Sequence, residues 1–235
     1  MKSIIKNGTI AMFILCVNAM MAHAQNKPIG YGSSATWELG IYGGYGYSNY
    51  SGDVSYAGTG AESYNNLTSW SGGMRYIYLF HPNFGGSIDL RYQKKGSSYQ
   101  NVGEEFIENT RVEMNYLEVP ISFVMQGNSS SSVIPFAHVG VFGAHLIDAN
   151  SKNSVVHIHI ADSVFSDYSI NVTNRYGKWD YGANLGAGVK WSVGPKMLMW
   201  IELQYHQGLA DIDTQTELFT RNMNVNLNVG LAWRE

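Results

Sequence analysis

From residue 222 to residue 233 the chain alternates without a break. Met223, Val225, Leu227, Val229, Leu231 and Trp233 occupy one parity, and Asn222, Asn224, Asn226, Asn228, Gly230 and Ala232 the other. Successive side chains of a β-strand point to opposite faces, so the segment has one apolar face and one small, polar face. Its length constrains the fold more than its period does. About 9 to 11 tilted residues carry a strand across a bilayer, whereas soluble strands average about 5 to 6. Residues 179–191 repeat the pattern, with Trp179, Tyr181, Ala183, Leu185, Ala187, Val189 and Trp191 opposite Asp180, Gly182, Asn184, Gly186, Gly188 and Lys190. Residues 197–206 follow it too, except that Trp200 intrudes on the polar parity.

Less regular stretches of the same kind fall at residues 36–47, 70–79, 85–94, 111–124 and 133–146, which brings the count to eight. An even number of alternating strands predicts an all-β fold: a closed, antiparallel, up-and-down transmembrane β-barrel of eight strands. Within 111–124 the polar parity changes, because Glu113 and Asn115 share one phase and Glu118, Pro120 and Ser122 the other. That slip predicts a bulge near Tyr116 and Leu117, which would also admit Pro120 to the sheet. Composition agrees: 26 glycines, 16 tyrosines and 6 tryptophans accompany only 14% charged residues. A soluble lipocalin-like barrel or two-layer sandwich would turn its apolar face inward. Bulky aromatics opposite glycine-rich faces fit lipid outside better.

The first residues combine Lys2 and Lys6, an apolar run from Ile10 to Val17, and Ala22-His23-Ala24. This is the pattern of a secretory signal, so residues 1–24 are expected to be removed and the barrel domain to span 25–235, starting at Gln25. Cys16, the single cysteine, lies in the apolar run behind Leu15, where a lipoprotein signal needs a small residue. The mature chain would then hold neither a disulfide nor a thiol nucleophile. Without the two signal lysines, 13 Lys and Arg face 18 Asp and Glu, a net of −5, which offers nothing to nucleic acid.

The connections alternate in length. Residues 48–69, 95–110, 147–178 and 207–221 are long, while 81–84, 125–132 and 192–196 are short. Short turns face the periplasm in outer-membrane barrels, so both termini are expected there and the long loops outside. Trp37, Phe84, Phe123, Trp191 and Trp233 would form the inner membrane girdle, and Tyr47, Trp70, Tyr92, Trp179 and Tyr205 the outer one. Outer-membrane lipid is the first expected partner.

Several short motifs carry a family resemblance: Tyr116-Leu-Glu-Val-Pro-Ile121, Pro135-Phe-Ala-His-Val-Gly140, Gly186-Ala-Gly-Val189, and Glu202-Leu-Gln-Tyr205 followed by Gly208-Leu209. In order and spacing the chain resembles the PorT-like outer-membrane β-barrel proteins of Bacteroidetes. The resemblance implies an outer-membrane barrel inserted by the barrel-assembly machinery, and the family's founding member is associated with protein secretion. The chain departs from the usual aromatic terminus, ending Trp233-Arg-Glu235. Asp162-Ser-Val164 also resembles a Bacteroidetes O-glycan attachment sequence.

On the inward parity stand Glu38, Arg75, Asp89, Arg91, Glu113, Glu118, His138, Asp180, Lys190, Glu202 and His206. Buried charges must be paired, so these residues predict a lumen packed with ion pairs. The alternatives are a narrow polar path whose pairs exchange, or a secretion-associated barrel. Eight strands leave barely enough room for side chains, which disfavours a standing pore. His157-Ile-His159 with Asp162 or Asp167 has the outline of a metal pair but reads as exposed loop, and no metal or cofactor is expected. A lipid-modifying barrel enzyme would need a serine beside His206 and Glu202, and Gly208 stands at the nearest such position. In the third long loop, residues 155–160 and 168–172 are β-prone and predict a hairpin above the membrane. The expected protein is a monomeric, non-enzymatic barrel with a structural or surface-interaction role, whose partner is an extracellular ligand or a secretion component.

Overall fold

The computed structural model describes residues 36–52, 64–102, 106–128, 131–158, 163–214 and 219–235. The expected signal segment, Cys16 and the start at Gln25 lie outside the described residues, as do His159, Asp162 and the side chain of His157. Among the described residues, nine strands form one antiparallel sheet: β1 (Thr36–Gly52), β2 (Leu67–His81), β3 (Phe84–Val102), β4 (Phe106–Gln126), β5 (Val133–Ile158), β6 (Ser163–Asn171), β7 (Trp179–Ser192), β8 (Met197–Gly208) and β9 (Thr220–Arg234). A 3-10 turn, Thr173–Arg175, precedes β7. All except β6 close into a ring. Neighbours in sequence pair along it, β5 pairs with β7, and β1 meets β9 from Glu38↔Arg234 to Gly52↔Thr220. Each of the eight expected segments lies within one strand of that ring.

Alternation sets the faces. Leu39, Ile41, Val139, Val141, Leu227 and Val229 are exposed on the outer wall, whereas Asn222, Asn224, Asn226 and Asn228 are buried. An exposed apolar belt around a polar interior is the inverse of a soluble barrel and suits a lipid surround. At the end bearing the short turns, Phe84 stacks on Phe123 at 6.0 Å, and Trp233 is exposed beside half-buried Trp37 and Trp191. Toward the other end, Trp70 stacks on Tyr92 at 5.1 Å, with Tyr47 and Trp179 exposed.

β3, β4 and β5 run well past the expected ends. Above the ring, β4 and β5 continue to Phe106↔His157, and β6 adds to β5 from Asn150↔Asn171 to Ile158↔Ser163. A hairpin stands in the third long loop, but not in the expected pairing: residues 155–158 pair with 163–166, and residues 168–171 pair with 150–153. The result is a sheet of β3 to β6 projecting beyond the long-loop rim.

The bulge expected near Tyr116 and Leu117 is not on β4. There Val112, Met114, Tyr116, Glu118, Pro120, Ser122, Val124 and Gln126 all face inward and are buried, with no change of parity. The register shift falls on β5: Asn115 pairs with Asp148 and Tyr116 with Leu146, leaving Ile147 as the extra residue. The apparent slip in β4 is a change of medium. Toward the short turns its outward residues are exposed and apolar (Leu117, Val119, Ile121, Phe123), as a lipid surround requires, and toward the long-loop end they are polar (Asn115, Glu113, Arg111). Pro120 is accommodated because the ladder to β3 steps from Ile88↔Ile121 to Arg91↔Glu118, so no bond is asked of its missing N–H.

Candidate functional site

The lumen is filled in three layers. Nearest the short turns, Tyr42, Phe136, Leu198, Trp200 and Ala232 form one apolar cluster, and Ile77, Leu79 and Val124 another. Trp200, which breaks the polar parity of β8, fits because Gly40 and Gly230 flank it, and a β-carbon at either would overlap its indole. Glu38 lies beside this layer, accepting from Lys190 Nζ at 2.8 and 2.9 Å and from Arg234 Nη2 at 2.6 Å. A cavity of about 20 Å³ between Glu38, Arg75, Phe136, Lys190 and Trp200 has room for about one water.

The middle layer is a continuous charge network. Arg75 donates through Nε to Asp89 at 2.9 and 3.1 Å and grips Glu202 with both terminal nitrogens at 2.7 and 2.8 Å. His138 Nε2 lies 3.4 Å from Glu202, and Tyr42 donates to Asp89 at 3.2 Å. Arg91 pairs with Glu118, donates to Gln204 at 2.8 Å, and meets the His206 ring at 2.9 Å. Lys95 Nζ bridges Glu118 at 2.5 Å and Asp180 at 3.2 Å, and lies 4.6 Å from the centre of the Phe142 ring. The β9 asparagines complete the wall: Asn228 reaches Glu202 at 3.0 Å and Asn222 reaches Asp180 at 2.9 Å. Carboxylates of Glu38, Asp89, Glu118, Asp180 and Glu202 thus face Arg75, Arg91, Lys95 and Lys190 in the interior, with Arg234 reaching in from the rim. Charge balance and mutual pairing let such groups persist out of water.

The third layer closes the long-loop end. Tyr50, Val112, Met114, Tyr116, Phe142, Ala144, Leu146, Ala149, Tyr176 and Ile212 form a buried apolar cluster, backed by Tyr64, Tyr99 and Val172. Tyr176 and Ile212 reach it from the connections before β7 and after β8, so the mouth is capped by the chain's own loops.

Ten of the eleven residues assigned to the lumen from sequence are buried inside it; Glu113 is not. It sits on the outward parity above the rim and binds Lys94 at 3.1 Å and Lys152 at 2.9 Å. His206 and Glu202 do not come together as an acid–base pair. The first is buried against Arg91 and Phe142, and the second is held by Arg75. Asp167 accepts the Ser154 hydroxyl at 2.6 Å. Lys95 was missed because the expected third strand stopped one residue short, although it shares parity with Arg91 and Gln93. The capping layer escapes the periodic reading because Tyr50 lies past the expected end of its strand and Tyr176 and Ile212 lie in connections between strands.

No curated protein matches the sequence. Among solved structures the chain is similar to the outer membrane protein OprG from Pseudomonas aeruginosa (12% identity, 88% of this chain and 98% of that one, TM-score 0.46). It is also similar to Neisserial surface protein A (12%, 84% and 98%, 0.41). A third is Ail, the attachment invasion locus protein of Yersinia pestis, solved with the heparin analogue sucrose octasulfate (16%, 85% and 99%, 0.39). The family model described as "Outer membrane protein beta-barrel domain" matches residues 23–214, most of the chain. With its closed antiparallel ring, apolar outer belt and polar interior, this chain belongs to that family of bacterial outer-membrane β-barrels.

Proposed function

We propose that the protein is a plugged, non-enzymatic anchor that holds the projecting β3–β6 sheet outside the cell as an interaction surface. The short-turn end and both termini then face the periplasm, and the barrel stands as a monomer in outer-membrane lipid after insertion by the barrel-assembly machinery. One observation carries this reading: three packed layers stop the lumen, while the ordered sheet continues past the rim. Building strands where no membrane needs them points to work done at that end. The finer likeness to PorT-like barrels of Bacteroidetes fits the plug, since its motifs supply Tyr116, Glu118, Phe136, His138, Glu202 and Gln204 to the interior.

Two measurements test it. Purified protein in planar bilayers should be silent at all voltages, and discrete conductance steps would overturn the plugged reading. A photo-crosslinker at Lys152 in living cells should give a discrete adduct. The protein captured there should no longer co-purify with a barrel in which residues 150–171 are replaced by a two-residue turn. The graft is feasible because Val172 N already bonds to Ala149 O at 2.9 Å. A captured partner that still co-purifies with the grafted barrel would remove the projecting sheet as the contact surface.

A further inference from the structure

β6 has a neighbour on one side only. It pairs with β5, and among the described residues nothing pairs with its other edge. At that height β7, which flanks β5 lower down, has already ended at His145↔Trp179. Residues 166–171 are all exposed. Proteins ordinarily blunt a solvent-facing edge with lysine, proline or a bulge. Residues 163–171 contain no lysine, arginine or proline, and their ladder to β5 has no register shift.

The two side-chain rows of β6 differ. Ile170 pairs with Ser151, which pairs with inward-facing Val112, so Ser166, Tyr168 and Ile170 lie on the sheet face continuous with the barrel interior. Tyr168 is 42% exposed and Ile170 51%. Asp167, Ser169 and Asn171 lie on the other face, and Asp167 is the only charge on the strand.

We infer that the free edge of β6 takes up an extended segment of a partner protein as an added strand, with apolar side chains over Tyr168 and Ile170 and a basic one across from Asp167. The inference rests on the reading of the projecting sheet as an interaction surface. Alternate residues of this nine-residue strand present backbone donors and acceptors that have no partner among the described residues, and such a row is complementary to another peptide backbone, not to a sugar or a lipid headgroup. A second copy in the same membrane does not fit. Barrels in one membrane are related by rotation about its normal, which keeps their β6 strands running the same way. A two-fold pairing of identical edges needs them antiparallel.

The test uses the full barrel in lipid discs and a synthetic nine-residue peptide alternating valine with threonine and lysine. By amide hydrogen exchange, the β6 amides that do not bond to β5 should exchange freely in the protein alone and become protected with peptide. Tyr168→Lys with Ile170→Lys should weaken the peptide at least tenfold. Asp167→Lys should weaken the lysine peptide and not one carrying glutamate in its place. Absence of protection at millimolar peptide would overturn the inference, and so would edge protection that grows with protein concentration alone. An adduct at Lys152 without peptide protection would sink the edge assignment and leave the surface reading standing. Protection together with channel conductance would do the reverse for the plugged anchor.

Discussion

Glu113 and Glu118 stand five residues apart on one strand, and they live in different media. Glu118 points into the ring, fully buried, between Arg91 and Lys95. Glu113 points outward above the rim, between Lys94 and Lys152, with its side chain 19% exposed. The chemistry of the two pairings is alike. What differs is whether water can replace a lost partner, and that difference decides how much each contributes.

The comparison breaks most visibly by deletion. Arg91→Met, which strands the Glu118 carboxylate beside Lys95 alone, should cost about 3 to 5 kcal/mol in urea titrations of the barrel in lipid vesicles. Lys152→Met, which takes a partner from Glu113, should cost about 0.2 to 1 kcal/mol in the same assay. Equal losses would mean that the lumen is wetter than its packing implies. A second substitution pair locates the boundary between the media. Ile121→Arg puts a charge on the lipid face of β4 and should cost about 2 to 4 kcal/mol, whereas Asn115→Arg, on the same face above the rim, should cost at most about 1 kcal/mol. If the two cost the same, the rim has been drawn at the wrong height. The smallest effect is a titration. Partial burial pushes the Glu113 carboxyl upward, but hydrogen bonds and charge from Lys152 and Lys94 outweigh it and hold its pKa below the ordinary value. A carboxylate depressed on folding stabilises above its unfolded-state pKa, and that contribution is lost as pH falls through the folded value. Carbon-13 titration of Glu113 should therefore give a low midpoint that Lys152→Met raises; an unmoved midpoint would detach Lys152 from the cause.

The same two media explain what the sequence discloses. Where lipid lies outside and polar groups inside, as along residues 222–233, every second residue announces its side, and the strands, their parity and ten lumen residues are legible. Above the rim both sides of the wall change character. Val112, Met114 and Tyr116 carry apolar groups inward and Glu113 and Asn115 carry polar ones outward, so the pattern inverts while the backbone does not. That inversion looks like a slip in β4, and it assigns Glu113 to the lumen. The real irregularity, Ile147 on β5, leaves no mark because both of its neighbouring phases are plausible in a mixed segment. Tyr176 and Ile212 join the cap from the connections before β7 and after β8 through tertiary packing alone, which no local period encodes.

The seam between β1 and β9 also fixes an order of events. The strand that begins the ring can bond along its second edge only to the strand that ends it, and Arg234 near the end of β9 clasps Glu38 near the start of β1. Until that strand arrives, β1 keeps a row of unmet backbone groups that lipid cannot hydrate. Closing the ring therefore depends on the pairing of the two strands farthest apart in the sequence, whose loop-closure cost is the largest in the molecule.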